Sequence, residues 1–243
     1  MLELLSVELA EVGLEMHESK TKILTSIEHP QVNFIDVIDM MIEVLPFHKA
    51  HRYLGRMVSL NPADRCTIEV SNRLRAAWGK FHQHRRWLLN KHVSLHLRLR
   101  LFAAVVTPCA LFAAMVLPLN QRDLHRFGVA QRKMLRSIVG WIRIADEPWR
   151  DTMRRMNERL QRAMRIHYVE PWEFQIFRRQ WYYAHHVAIN DQMVWPSLIL
   201  NWQPNLVHDP YYTHMPHRTR GRPRTRWDDN LMNFCFDEFS YDH

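Results

Sequence analysis

Leu101–Leu119 reads LFAAVVTPCALFAAMVLPL, 19 residues without a charged side chain. At that length a membrane span and a buried core helix are both open, and the choice decides the fold. Pro108 sits in the middle of the run, its alanines lower the hydrophobicity, and Arg98 and Arg100 stand one turn before it. Arg122 follows just beyond the other end, so the flanks give no positive-inside asymmetry. The run is therefore expected to be a buried helix, capped at Ser94 and kinked at Pro108. A membrane protein built on Leu101–Leu119 is the weaker reading.

On both sides of this run the apolar residues recur at helical spacing. In 68–90, Val70, Leu74, Ala77, Trp78, Phe81 and Leu88 share a stripe, with Arg73, Lys80 and Lys91 along one side and Arg75 and Arg86 along the other. After the run, Asn120-Gln-Arg-Asp123 resembles a capping box with Asp in place of Glu. The helix it opens stacks Leu124, Phe127, Met134, Leu135 and Ile138 and leaves Arg122, Arg126, Lys133 and Arg136 opposite. Residues 149–167 repeat the design, with Trp149, Met153, Met156, Leu160 and Met164 inward and Arg150, Arg154, Arg155, Arg159, Arg162 and Arg165 outward. An aromatic-rich helix is expected over 172–190, and 196–226 read as a loop or extended arm.

The first third differs. Residues 2–16 place Leu2, Leu5, Leu9 and Val12 on one helical stripe, with Gly13 as C-cap. Residues 32–37 and 40–46, rich in β-branched and large apolar side chains, read as a strand pair.

Six glycines in 243 residues argue against a turn-rich barrel or sandwich, and 47% hydrophobic content excludes a disordered chain. The net charge of +8 is unevenly spread: −6 over residues 1–49, +19 over 50–226 and −5 over 227–243. Within 68–91, 122–136 and 150–165 the acids are only Glu69, Asp123, Asp151 and Glu158. Such faces suit a polyanion, most simply nucleic acid held by its phosphates without sequence preference. Three cysteines far apart form no disulfide framework or zinc knuckle, and the absence of a signal peptide points to an intracellular chain, nuclear or cytoplasmic.

Chemistry-bearing motifs are scarce. No P-loop, GxGxxG, GxSxG or HExxH occurs. The closest histidine pairs, His82/His84, His185/His186 and His214/His217, have no Cys or carboxylate at a spacing that completes a tetrahedral site, so no metal ligand is assigned. Asp228-Asp229 are neighbours, which a helix would point about 100° apart, and read as a solvated acidic end. Arg220-Gly221-Arg222-Pro223 spells the core of an AT-hook, whose arginines enter the narrow minor groove of A·T-rich DNA. Its plain alternative is a basic linker.

Together these segments resemble the C-terminal part of a non-LTR (LINE-type) retrotransposon reverse transcriptase. Ala10–Leu24 (AEVGLEMHESKTKIL) is similar to the helix and KTK passage of polymerase motif D, and Arg52-Tyr53-Leu54-Gly55 to the YLG of the motif E primer-grip hairpin. Residues 64–140 resemble the thumb, chiefly in Val93–Pro108 and Gln131–Gly140. Trp181–Ala188 and Gly221–Asp229 resemble downstream passages of the pattern WxxAGHVAR and GRPxxRWxDD, with His185 where the family usually has Gly. Nearly the whole chain is covered.

The resemblance implies a mainly α fold: a helical thumb-like bundle with a small β-hairpin from a truncated polymerase palm. Residues 1–58 would be the palm remnant, 59–140 the thumb and 141–243 a C-terminal connection with the basic arm. The family's metal-binding aspartates would lie before Met1, so this chain alone is expected to hold no cofactor, Mg²⁺ belonging to the parent enzyme, and to be inactive. Lys20 is the one weak catalytic candidate, as the motif D lysine near the leaving pyrophosphate. Nucleic acid, an RNA–DNA hybrid or duplex DNA, would be held by Lys22, Tyr53, Leu54, Gly55, Arg73, Arg75, Lys80, Arg86, Lys91, Arg126, Lys133, Arg136, Arg220, Arg222 and Arg224. No membrane partner is expected, and the missing palm and fingers would be the other partner. The alternative is a small all-α DNA-binding or adaptor protein reading A·T-rich DNA through Arg220–Arg224.

Overall fold

Ser94 and Asn120 both end up where their side chains are useful, at the start of a helix. The Ser94 hydroxyl accepts the Leu97 N–H and the Asn120 carbonyl accepts the Asp123 N–H at 2.8 Å, each satisfying one orphan donor of a first turn. In the computed structural model, which describes residues 2–37, 40–61, 64–189, 231, 234 and 235, the chain is mainly α with a small β region. It divides into two compact units, Met1–Asn72 and Arg73–His243.

The first unit opens with α1 (Leu2–Glu11), closed as the sequence suggests. Gly13 takes φ +74°, its N–H donates to Ala10 O, and the Leu14 N–H reaches back to Leu9 O, the paired bonds of a Schellman ending. The apolar stripe of α1 finds little cover, and Leu5 and Val12 are exposed. Strands β2 (Phe34–Val37) and β3 (Met40–Leu45) form the expected antiparallel pair, Phe34 opposite Glu43. A strand the sequence reading missed, β1 (Lys22–Leu24), adds to the other edge of β3 in parallel. Three residues are too short a run for alternation to show.

A second, separate hairpin joins β4 (Ala50–Tyr53) to β5 (Arg56–Ser59). Its two turn residues both have positive φ, Leu54 at +46° and Gly55 at +80°. That pair matches the twist of the flanking strands in a two-residue loop, but only the glycine adopts it without cost. Helix α2 (Arg65–Gln83) follows, and the buried Glu69 carboxylate accepts the Met57 N–H of β5 at 2.6 Å.

The second unit holds α3 (Arg85–Leu88), α4 (Leu95–Val105), α5 (Thr107–Leu111), α6 (Gln121–Val139), α7 (Trp149–Ile166) and α8 (Trp172–Ile189). Leu95–Val116 is long and apolar enough to cross a membrane by length and composition. In the fold it is interrupted at Val106, restarts with Pro108 in the first turn of α5, and leaves the helix at Phe112 and Ala113, the latter at φ +53°. Leu99, Phe102, Val106, Ala110, Leu111 and Ala114 of this segment are buried. Helix α6 supplies the facing wall with the five apolar residues expected of it, and α7 adds Met156 and Leu160.

At the centre lies Trp172, fully buried at the first position of α8. Its ring stacks on Phe102 at 5.8 Å with the planes 5° apart. The indole Nε1–H donates to Thr107 Oγ1 at 3.1 Å, and the backbone N–H donates to Gln131 Oε1 at 2.8 Å. Gln131 Nε2 in turn donates to Glu170 O at 2.8 Å, so a side chain of α6 caps α8 from outside the helix.

Two sequence expectations need correction. Trp149 is not inward but 64% exposed, because it precedes the buried stripe of α7 that begins at Thr152, and its ring lies 5.7 Å from Trp141. The capping box closes on one side only. The Asp123 carboxylate takes Arg126 at 3.2 Å instead of returning to the Asn120 N–H, as expected of a side chain one methylene shorter than Glu.

Two substitutions test these readings. Leu54→Asn, which creates the Asn-Gly turn, is expected to raise unfolding free energy by about 1 kcal/mol in urea titration; an unchanged or lower midpoint would show that Leu54 carries no strain. Gln131→Leu keeps the volume but strands the buried Trp172 N–H, and is expected to cost about 1–3 kcal/mol in the same measurement.

Candidate nucleic-acid interface

The arginines and lysines fall into two groups that the sequence does not separate. One group is turned onto the protein's own carbonyls and carboxylates. Arg98, on α4, donates to Val93 O at 3.1 Å and Ile138 O at 2.6 Å, and Arg159, on α7, donates to Val139 O at 3.2 Å. Both meet the end of α6, where unpaired carbonyls and the negative end of the helix dipole favour cations. Burial lowers the Arg98 pKa from its usual value. Arg136 donates to Asn157 Oδ1 at 2.8 Å, joining α6 to α7.

The loop between α6 and α7 is held in the same way. Arg155 grips the Glu147 carboxylate with Nε at 2.9 Å and Nη2 at 2.7 Å, and the same Nη2 reaches Ile142 O at 2.9 Å. Thr152 Oγ1–H donates to Glu147 as well, at 2.6 Å. These bonds to the ionised carboxylate, Arg155 first, hold Glu147 down to about 2.

The second group faces outward. Of the proposed contacts, Arg75, Arg86, Lys91 and Lys133 are exposed, and Lys80 is half-buried with its ammonium 3.0 Å from Gln83 Oε1. The surroundings matter as much as the charges. From residue 70 to residue 122 there is no Asp or Glu, while Arg73, Arg75, Lys80, Arg85, Arg86, Lys91, Arg98, Arg100 and Arg122 lie in that span. Arg73 is buried, its guanidinium 4.8 Å from the Phe112 ring centroid, and does not reach the surface.

Lys22 pairs with Glu43, its register partner on β3, at 2.9 Å, and that bond lowers the Glu43 pKa. Lys20 is exposed in the turn before β1. Tyr53 and Leu54 are exposed at the tip of the β4–β5 hairpin beside Gly55, in the first unit. Arg126 is half-buried against Asp123. Arg220, Arg222 and Arg224 lie outside the described residues, as do 196–226 and Gly221–Asp229. Among the described residues no group of three or more His, Cys, Asp or Glu comes together, so they do not fit the carboxylate set that Mg²⁺ chemistry needs.

No protein-family model matches this chain, and neither does any solved structure. The chain is similar to a Caenorhabditis elegans protein described as uncharacterized and transposon-derived, with 26% identity over 241 residues, 95% of this chain and 76% of that protein. The likeness is a loose link to a transposon origin.

The Glu147 clamp has a pH signature. An ordinary carboxylate titrates near 4.5 and Glu147 near 2, so its contribution is complete above the first value and lost as pH falls toward the second. The stability gap between the native chain and Glu147→Gln is expected to be constant above pH 5 and to shrink toward pH 2 (urea midpoints at several pH values). An equal gap at both ends would mean that Arg155 does not hold this carboxylate.

Proposed function

We propose that this chain is the thumb and connection of a retrotransposon-type reverse transcriptase, and that it holds an RNA–DNA hybrid or DNA duplex by its phosphates without carrying out chemistry itself. The observation that carries the reading is the acid-free span from 70 to 122 with cations exposed along α2, α3 and the loop into α4. A duplex backbone is a dense line of negative charge, and cations that neutralise its phosphates release its counterions. The transposon-derived relative and the motif resemblance support the same origin. Mg²⁺ and the transfer of nucleotides would belong to carboxylates that the described residues do not provide, so no catalytic step is assigned.

The strength of the grip follows from counting surface cations. Arg75, Lys80, Arg86, Lys91 and Lys133 reach the surface, whereas Arg136 and Lys22 are spent on internal partners. Neutralising about 4–6 phosphates gives a log–log salt slope of roughly −4 to −5. Fluorescence anisotropy with a hybrid duplex across a salt series is expected to return that slope, reduced by about one in Lys91→Ala or Arg75→Ala. A slope near zero, or no binding at low salt, would overturn the reading. A clear A·T preference lost in Arg222→Ala would transfer binding to the basic arm.

A further inference from the structure

Between α3 and α4 lies an open pocket of about 390 Å³, lined by His84, Trp87, Val93, Leu97, Arg98 and Leu101. That volume falls in the range of small-ligand sites. Two of its lining residues show large apolar surfaces to solvent: Trp87 is 56% exposed and Leu97 52%. The site is preformed. Leu88, next to Trp87, is fully buried and anchors the short helix, and Arg98 is fixed by its bonds to Val93 O and Ile138 O. A guanidinium has five N–H donors, so Arg98 keeps some for a ligand.

The charged residues that neighbour the pocket lining in sequence are all basic. Arg85, Arg86 and Lys91 are exposed beside it, with the Arg86 guanidinium 5.9 Å from the Trp87 ring centroid. The pocket sits inside the acid-free span from 70 to 122. The exposed pair Trp141 and Trp149 has acids near it in sequence, Asp146, Glu147 and Asp151, as well as bases, and lacks this character. An occupant of the α3–α4 pocket therefore needs a flat apolar face and negative charge close on either side. A nucleotide has both: every base offers a π-face, and its phosphates sit within reach of flanking cations.

We propose that this pocket receives one unpaired nucleobase, stacked on Trp87 and packed against Val93, Leu97 and Leu101, with the adjoining phosphates on Arg85, Arg86 and Lys91. The site would recognise single-stranded nucleic acid, such as an overhang leaving the duplex of the proposed function. It thus deepens that reading and does not depend on it for its test.

The test uses the full chain and three probes: a blunt RNA–DNA hybrid, the same hybrid with a short single-stranded extension, and the single strand alone. The native chain is expected to bind the extended hybrid more tightly than the blunt one. Trp87→Ala should lose roughly 5- to 100-fold on the extended and single-stranded probes and leave the blunt hybrid unchanged, while Trp87→Phe retains most of the affinity. 5-Iodouracil in the extension should crosslink to the peptide containing Trp87. Equal losses on blunt and extended probes, no loss on either, or a crosslink elsewhere would overturn the proposal. If the native chain binds no blunt hybrid, the duplex reading fails, and a Trp87-dependent grip on the single strand would still establish the pocket. Because Trp87 is largely exposed, matching melting curves are expected for Trp87→Ala; should that variant unfold, Trp87→Phe and the crosslink decide.

Discussion

The helical unit depends on the environment of one indole. Trp172 brings α4, α5, α6 and α8 to a common point: a stacked ring from α4, a hydroxyl from α5 and an amide from α6. A buried tryptophan supplies a large apolar surface, and its N–H must find a partner or lose much of that gain. Thr107 meets that need, which explains a polar residue in the middle of an otherwise apolar run. Pro108 is the other half of the arrangement. It separates α4 from α5, leaves Phe102 and Thr107 on either side of the break, and so allows two neighbouring segments to address one ring.

Arginine serves two physical purposes here, and they draw on different properties of the side chain. Arg98, Arg155 and Arg159 use the planar fork to satisfy carbonyls at the end of α6 and in the loop beyond it, where backbone groups would otherwise be left unpaired. Arg75 and Arg86, with the lysines Lys91 and Lys133, are exposed and contribute charge. The first purpose fixes the geometry that the second needs, because Arg98 both caps α6 and forms one wall of the α3–α4 pocket.

Much of the framework was legible in the residues. The helix starts at Ser94 and Asn120 and the stop at Gly13 follow from side chains that bond locally, and a local bond leaves a local signature. The buried stripe of α6 was equally clear because five apolar positions recur at its period. The strand β1 was not, since its pairing with β3 comes from a distant segment. Trp172 and Gln131 escaped for the same reason: their bonds span 41 and 65 residues, and nothing nearby marks a glutamine as the cap of another helix. For the site, the basic faces were visible but not their division. Whether an arginine meets a carbonyl or solvent is decided by a partner as distant as Ile138 is from Arg98, 40 residues away.

The signal that does survive in the sequence is the absence of acid. Helix surfaces ordinarily mix signs, since opposite charges one turn apart stabilise the helix and neutralise one another. Leaving out every carboxylate from 70 to 122 forgoes such pairs within that span of sequence. Charge of one sign also serves solubility, but at the cost of self-repulsion. Under the proposed function a polyanion would offset that repulsion, its phosphates standing where carboxylates are missing. The exposed Trp87 fits this account where it would otherwise be a liability: an apolar ring left in water among cations gains most from a partner that is flat on one side and charged at its edges.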